Sequence, residues 1–364
     1  MGKAYLITFW LGLCLYGLGG CSTDAESELE QQEARNHAMG FTTWSFGPNL
    51  QDVDDTYNFI ANNADVYVEH LDGTIPWNAW INDVPLPTEF TNEMMGRSNR
   101  RIPGKDLVLS VGLLNLNRDN LEPDFDGSVP PYTALNDPAI EEAYTKHVAY
   151  LVNLFNPDYL VIAIEVNELW LRNNTLWESY TQLINAVIGN IRASHPEVRI
   201  STSISLHNLY DPEVLDSETY INSVFEHVNQ MDFVAISYYP FLKNQSTRAA
   251  FQATLDFLHS NTNKPIAFVE SGHIAEDLIV PNLNVFISGN PTEQQLFLET
   301  LLDNAQTQDY EMVVWWAHRD YDALWEVFPS EVRDLGQLWR DTGLLDQNGT
   351  ERPAFATWQT SFGE

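Results

Sequence analysis

Basic residues and cysteines are scarce in this sequence. It has 18 lysines and arginines against 51 aspartates and glutamates in 364 residues, a formal net charge of −33 at pH 7. Such a charge repels nucleic-acid phosphates and anionic lipid headgroups, so nucleic acid is excluded as a partner. No GxGxxG or GxxxxGKS/T motif follows a predicted strand, which argues against a nucleotide-binding open sheet. Apolar residues make up 44% of the chain, enough for a sizeable core.

The first residues have the pattern of a secretory signal. Lys3 precedes an apolar run over residues 4–18, and small residues precede Cys21. The segment 18–21, LGGC, resembles a bacterial lipoprotein box, which implies that residues 1–20 are a signal peptide and that Cys21 carries lipid. An ordinary cleavable signal with a chance cysteine is the alternative.

The two cysteines then form no disulfide, because Cys14 lies in the removed part and Cys21 is acylated. Residues 21–38 are acidic and lack an apolar period, so they are predicted to be a flexible tether. We expect the protein at the bacterial cell envelope, where Ser22 favours the outer membrane, or else secreted. The lipid anchor is its only expected link to a membrane.

Eight apolar segments alternate with amphipathic ones over residues 39–364, and no composition break divides them. The predicted strands are 40–44, 65–71, 106–114, 159–167, 198–206, 233–239, 265–270 and 312–317. The predicted helices are 53–62, 138–155, 176–194, 218–228, 247–260 and 292–304. Residues 72–101 are predicted to be a long loop with a short helix.

Near-continuous apolar strands are typical of a parallel sheet buried on both faces. Eight βα units and this length predict an α/β fold, a single (β/α)8 TIM barrel. A doubly wound open sheet is the competing architecture.

Two glutamates end predicted strands. Strand four ends in Asn167-Glu168, and strand seven ends in Glu270. Barrel enzymes carry their chemistry at the carboxyl ends of the strands, so these two carboxylates are expected to face each other. Such a pair suits glycosidic bond cleavage, in which one acid protonates the leaving oxygen and the other attacks the sugar. A single glutamate at either place could instead be a salt-bridged residue.

The segment Asn167-Glu168, the glutamate Glu270 and the run SYYP at residues 237–240 resemble retaining glycoside hydrolases of clan A. The run is similar to that of arabinogalactan endo-β-1,4-galactanases, glycoside hydrolase family 53. The resemblance implies that Glu168 is the acid/base, Glu270 the nucleophile and Asn167 a ligand of the sugar 2-hydroxyl. It also implies that a tyrosine donates to the nucleophile, and we assign this to Tyr238 with Tyr239 as the alternative. No cofactor is implied.

A tryptophan at the end of strand eight stacks on the sugar in this clan, and Trp316 is assigned that role over Trp315. Stacking suits the apolar face of a pyranose, whose hydroxyls need polar partners around the rim. Glu165 has the opposite parity to Glu168, so it is expected to be a paired structural acid. Other residues expected near the barrel mouth are Trp44, His70, Asp72, Asn115, His207, Asn208 and His273.

The sequence thus predicts a monomeric retaining glycosidase acting on a β-linked polysaccharide or oligosaccharide, with galactan as the leading substrate. Mannan, glucan or exo-acting specificities are alternatives within the clan. A binding-only surface lipoprotein with a barrel fold is a rival of another class. A hydrolase with a metal on His70, Asp72 and His207 is a third, although no HExxH motif supports one and no metal site is predicted.

Overall fold

The computed structural model describes residues 34–363, which form one compact unit. The predictions for the signal peptide, for Cys21 and for most of the tether lie outside the described residues. The last residues of the predicted tether contact the barrel, since Arg35 pairs with Asp65 at 2.7 Å and Asn36 donates to Asp309 at 2.6 Å. The folded domain therefore begins a few residues before the predicted boundary at residue 38. No helix among the described residues is long and apolar enough to cross a membrane.

The sheet contains all eight predicted strands. The strands are β1 (Ala38–Thr42), β2 (Val66–Leu71), β3 (Asp106–Val111), β4 (Tyr159–Val161), β5 (Arg199–Ser201), β6 (Ser203–Ser205), β7 (Val234–Tyr238), β8 (Ile266–Ser271), β9 (Leu278–Val280), β10 (Val285–Ile287) and β11 (Met312–Trp315). All pairs are parallel in the order β5-β4-β3-β2-β1-β11-β8-β7-β6, while β9 and β10 form a separate antiparallel hairpin.

The barrel closes through the fifth predicted strand, which Thr202 divides into β5 and β6. The β5 segment pairs with β4, and the β6 segment pairs with β7, so one stretch of chain joins both edges of the sheet. The predicted (β/α)8 barrel is confirmed, and the open doubly wound sheet is excluded by this closure.

Helices surround the sheet. They are α1 (Leu50–Asn63), α2 (Trp77–Asn82), α3 (Thr88–Ser98), α4 (Pro138–Phe155), α5 (Asn167–Asn173), α6 (Trp177–Ser194), α7 (Leu206–Tyr210), α8 (Ser217–Val228), α9 (Arg248–Asn261), α10 (Pro291–Thr307), α11 (Asp322–Trp325), α12 (Ser330–Gly336) and α13 (Pro353–Phe362). Short 3-10 helices cover Asn174–Leu176, Pro240–Lys243, Pro281–Leu283 and Gln337–Trp339. The six predicted helices are all present. The stretch after β2 holds two helices, α2 and α3, where one short helix was predicted.

Local chemistry explains the helix boundaries. The α4 helix begins at Pro138, whose missing N–H is harmless there, and the Asp137 side chain accepts from the N–H of Ala139. The α10 helix begins in the same way, with Asn290 as the cap and Pro291 in the first turn. Both signals are visible in the sequence.

The core has two layers. Small and branched side chains from alternate strand positions fill the barrel, among them Val66, Val108 and Val314. A larger layer packs between the strands and the surrounding helices. Gly40 allows β1 and β2 to approach, because a Cβ atom there would lie 2.3 Å from the carbonyl oxygen of Val66. This packing fixes the strand ends at one rim.

Candidate active site

A cavity of about 980 Å³ opens at the carboxyl ends of the barrel strands. Residues that end or follow all eight strand positions line it, as expected when parallel strands end at one rim. Among the lining residues are Trp44, His70, Asp72, Arg118, Glu165, Glu168, His207, Tyr239, Glu270 and Trp316. The structure therefore brings Glu168 and Glu270 into one cavity with six more of the predicted site residues: Trp44, His70, Asp72, His207, Asn208 and Trp316.

Glu168 lies in the first turn of α5 and is 5% exposed. Its Oε1 atom accepts a hydrogen bond from Nδ2 of Asn208 at 2.7 Å and another from the hydroxyl of Ser205. Its Oε2 atom lies 3.6 Å from Nη2 of Arg172, one turn along the helix. One carboxylate oxygen is thus held by β6 and α7, while the other is near a cation at the rim.

Asn167 is wholly buried and does not line the cavity. Its Nδ2 atom donates to the hydroxyl of Tyr220 at 2.8 Å and to Ser205, and its Oδ1 atom accepts from the Ser205 N–H at 2.7 Å. In this structure Asn167 does not reach the cavity, and its contact with the sugar 2-hydroxyl stays a prediction. Because α5 begins at Asn167, its side chain turns behind Glu168 and holds Ser205, which in turn donates to Glu168.

Glu270 lies in β8, across the cavity mouth, and is 8% exposed. The hydroxyl of Tyr239 donates to its Oε1 atom at 2.6 Å, and Nδ1 of His70 lies 3.4 Å from its Oε2 atom. Burial raises the pKa of Glu270 to about 8, and the neighbouring Glu165 adds to the rise. Burial lowers the pKa of His70 to about 4, so its imidazole is neutral and contacts Glu270 as a hydrogen-bonding group.

The predicted contact of Tyr238 with Glu270 is wrong, and the alternative Tyr239 makes it. The Tyr238 side chain turns out of the barrel, where its hydroxyl donates to Gln245 at 2.8 Å and its ring packs on Phe297. The pairing of β7 with β8 shifts register between Ile236 and Ser237. Strand alternation alone therefore does not predict which of the following two tyrosines points into the barrel.

Glu165 lines the same cavity as Glu168, against the prediction from parity. Its backbone has φ +50°, which breaks the strand alternation between β4 and α5. It is paired, as predicted, because its Oε2 atom lies 3.4 Å from Nη2 of Arg118, and Ser237 donates to its Oε1 atom at 2.8 Å. Burial raises the pKa of Glu165, an effect that Arg118 opposes and Glu168 reinforces.

Asp72 is the second carboxylate that contacts Arg118. Nη2 of Arg118 donates to its Oδ2 atom at 2.6 Å, and Nη1 donates to its Oδ1 atom at 3.1 Å. Burial alone would raise the pKa of Asp72, but the Arg118 charge outweighs it and the pKa is lowered. The side chains of Asp72, Arg118 and Glu165 thus form one charged wall of the cavity.

Aromatic side chains form another part of the cavity wall. The rings of Trp44 and Trp316 lie 5.1 Å apart, and His70 packs edge-on against Trp316 at 5.3 Å. Trp316 is 7% exposed, and the buried indole N–H groups of Trp44 and Trp316 have no acceptor among the described residues.

Of the remaining predicted site residues, some line the cavity and others do not. His207 lines the cavity and accepts from the N–H of Tyr239 at 3.5 Å, and burial lowers its pKa to about 3. Asn115 and His273 do not line it, because Asn115 donates to Asp119 and the His273 ring bonds to backbone carbonyls.

Arg118 and the segment after β11, which supplies Phe328, Leu338 and Trp339, also line the cavity wall and were not predicted from the sequence. Nothing in the spacing of Arg118 marks it, since it lies in a loop, seven residues after the end of β3. Charged residues in a loop after a barrel strand are the only available signal.

The residues of the metal hypothesis have separate partners: His70 contacts Glu270, Asp72 pairs with Arg118, and His207 contacts Tyr239. A different set of carboxylates, Asp320, Asp322 and Asp341, has oxygen atoms within 4.8 Å of one another outside the cavity lining. There, cationic side chains already compensate the charge, since Arg352 pairs with Asp320 at 2.7 Å and Arg340 with Asp341 at 2.8 Å.

The chain is similar to known glycosidases. The model of glycosyl hydrolase family 53 matches residues 144–356, more than half of the chain. A glycosyl hydrolase family 53 catalytic domain from Ignisphaera aggregans aligns with a TM-score of 0.56 and 15% identity, over 86% of this chain and 88% of that one.

Members of another family share the fold. A GH5_18 enzyme of Bifidobacterium longum, in complex with Manβ1-4GlcNAc, aligns with a TM-score of 0.63 and 14% identity, over 90% of this chain and 78% of that one. An exo-β-1,4-mannosidase from an Opitutaceae bacterium gives a TM-score of 0.65 and 12% identity, over 90% and 59%.

No curated protein matches the chain. The family model spans the fourth to eighth strands, and so includes both Glu168 and Glu270. The chain belongs to glycosyl hydrolase family 53 and is a retaining clan A glycoside hydrolase that acts on β-linked glycans.

Proposed function

We propose that the chain hydrolyses a β-linked galactan by double displacement, with Glu270 as nucleophile and Glu168 as acid/base. The observation that carries this proposal is that two carboxylates at strand ends line one cavity, each held by hydrogen-bond donors. Glu270 accepts from the hydroxyl of Tyr239 and lies beside the neutral His70. Glu168 accepts from Asn208 and Ser205 and lies 3.6 Å from Arg172.

In the first step Glu270 attacks the anomeric carbon while the Glu168 proton passes to the departing glycosidic oxygen. The bond from the anomeric carbon to that oxygen breaks, and a covalent glycosyl-enzyme forms. In the second step Glu168 takes a proton from water, whose oxygen attacks the anomeric carbon and releases Glu270. No cofactor enters either step.

The neighbours of Glu270 control its charge. A nucleophile must be ionised, and the hydrogen bond from Tyr239 favours the ionised form, which lowers the pKa of Glu270. Burial and Glu165 act in the opposite direction. Because the neutral His70 adds no positive charge, Tyr239 is the donor that steadies the carboxylate.

Galactan is proposed as substrate on the family match and on the run SYYP at residues 237–240. The aromatic wall of Trp44 and Trp316 supports a pyranose unit whose apolar face stacks on an indole. A β-1,4-mannoside is the second candidate, because two proteins of the same fold carry or act on such sugars according to their descriptions.

The test uses protein lacking residues 1–21 on β-1,4-galactan, β-1,4-mannan and β-1,4-glucan, with reducing ends and product sizes measured. We expect activity on galactan that Glu168→Ala and Glu270→Ala each lower by at least about 1,000-fold, as removal of a group central to bond cleavage does. Preference for mannan would replace the sugar but keep the mechanism. Absence of hydrolysis on every glycan, with binding retained, would favour the binding-only alternative.

We also propose that the protein is anchored at the bacterial cell envelope by lipid on Cys21. The support is the LGGC segment that ends the apolar leader. In cell fractionation the full chain should sediment with membranes and Cys21→Ala should not. A soluble full chain with an unmodified Cys21 would contradict this proposal.

A further inference from the structure

Two residues of the cavity have a backbone conformation that their side chains do not favour. Seven non-glycine residues among those described have positive φ, and five of them are Asp or Asn, which tolerate it. The other two are Arg118 (φ +57°) and Glu165 (φ +50°), and both line the cavity. They also contact each other at 3.4 Å. Strained backbone of this kind is concentrated at functional sites.

The Glu165 carboxylate has unused capacity for hydrogen bonds. Each of its oxygen atoms can accept two, but Oε1 accepts one from Ser237 at 2.8 Å and Oε2 has only the distant Arg118 at 3.4 Å. Its side chain is 18% exposed, within a lining that also includes Glu168 and Glu270. The free acceptor positions are therefore available to a ligand in the cavity.

Arg118 has a closer carboxylate partner than Glu165. Arg118 is already held by both oxygen atoms of Asp72, at 2.6 and 3.1 Å. A third acid beside Glu168 and Glu270 adds repulsion and a burial cost, which is why the pKa of both Glu165 and Glu270 is raised. A group that destabilises its own site points to function.

We propose that Glu165 contacts the substrate, where its carboxylate accepts hydrogen bonds from hydroxyls of the sugar unit bound between Glu168 and Glu270. Arg118, fixed on Asp72, holds that carboxylate in place. A carboxylate oxygen is a strong acceptor for a sugar hydroxyl, since its hydrogen bonds are charge-assisted. The inference rests on the proposed function, because it places a sugar between those two glutamates.

The test compares wild type and Glu165→Gln on 4-nitrophenyl β-D-galactoside and its monodeoxy analogues. On the parent sugar we expect kcat/KM to fall about 10- to 100-fold, as for loss of a hydrogen bond to a charged group. On the analogue that lacks the contacted hydroxyl, wild type and variant should be equally slow. Thermal stability of the variant should equal or exceed that of wild type.

A matched control is Glu311→Gln, which removes a glutamate paired with Arg199 at 2.7 Å where β5 and β11 begin. It should lower stability and leave kcat/KM unchanged. An equal loss for Glu165→Gln on every analogue, or no loss on the parent, would overturn the proposal. The proposal would also be overturned if azide restored the activity of Glu165→Gly and gave a glycosyl azide product, because Glu165 would then be the acid/base.

Failure of the proposed function gives different results. If wild type cleaves mannosides instead, the same comparison is made with monodeoxy mannosides, and the prediction for Glu165 stands or falls there. If Glu168→Ala and Glu270→Ala keep full activity, the catalytic assignment fails whatever Glu165 does.

Discussion

Replacing Glu270 by glutamine is expected to stabilise the protein while abolishing its activity. The folded site raises the pKa of Glu270 from 4.5 to about 8, chiefly by burial and then by Glu165. The folded protein therefore binds a proton at Glu270 more tightly than the unfolded chain does. Stability contributed by this group falls as pH rises from about 4.5 to about 8. The glutamine side chain is neutral at every pH, so the variant does not lose this stability as pH rises.

The magnitude follows from the pKa. At about 1.4 kcal/mol per pKa unit, the stability lost relative to a permanently neutral side chain is about 3 kcal/mol at pH 7 and about 1 kcal/mol at pH 5. An unfolding entropy of about 2.1 cal/mol/K per residue over roughly 330 residues converts these to about 5 °C and about 1 °C in Tm. The glutamine can still accept from Tyr239, so the hydrogen bond at Oε1 is kept.

The assay is differential scanning calorimetry of wild type and Glu270→Gln at several pH values from 5 to 8. The difference in Tm should grow steadily with pH. A control variant, Glu311→Gln, should lower Tm, because it breaks the pair with Arg199. The reasoning is refuted if Glu270→Gln has the same Tm as wild type at pH 7, or if its advantage grows toward acid pH.

Three further predictions concern activity. Tyr239→Phe should lower kcat about 10- to 100-fold in steady-state kinetics, because the hydrogen-bond donor to Glu270 is lost. Tyr238→Phe should leave kcat unchanged. Equal losses for the two variants would contradict the assignment of Tyr239. The acidic limb of the kcat/KM profile reports ionisation of Glu270 in the free enzyme, and the groups facing it are Tyr239, His70, Asp72, Arg118 and Glu165. Glu165→Gln removes a negative neighbour, so this limb should move to lower pH, and a move to higher pH would show that the charge effect has the wrong sign. Trp316→Ala should raise KM for the galactoside about 10-fold or more through lost stacking, and an unchanged KM would place the sugar elsewhere.

The barrel was predictable because its signals are local. Buried parallel strands are near-continuous apolar runs, and caps such as Asp137 and Asn290 mark where helices begin. The two carboxylates were predictable for a related reason, since strand ends in a barrel meet at one rim. The break of the fifth strand at Thr202 was not predictable, because no glycine or proline interrupts residues 198–206.

Three of the departures from prediction lie where the backbone leaves the strand pattern. Tyr238 and Tyr239 exchange roles after a register shift at Ser237. Glu165 enters the cavity because its φ is positive, although no glycine or asparagine announces such a conformation. Asn167 turns away because α5 begins there. Each case depends on a single backbone dihedral or bulge set by tertiary contacts, which a periodic pattern cannot contain.

The assignment of Glu270 as nucleophile is tested most directly by trapping the covalent intermediate. Wild-type protein is incubated with an activated 2-deoxy-2-fluoro-β-galactoside, which slows release of the glycosyl-enzyme, and then digested for peptide mass spectrometry. We predict one fluorosugar per chain, attached to Glu270, and no label in Glu270→Gln. A sugar attached to Glu165 or Glu168 instead would contradict the mechanism.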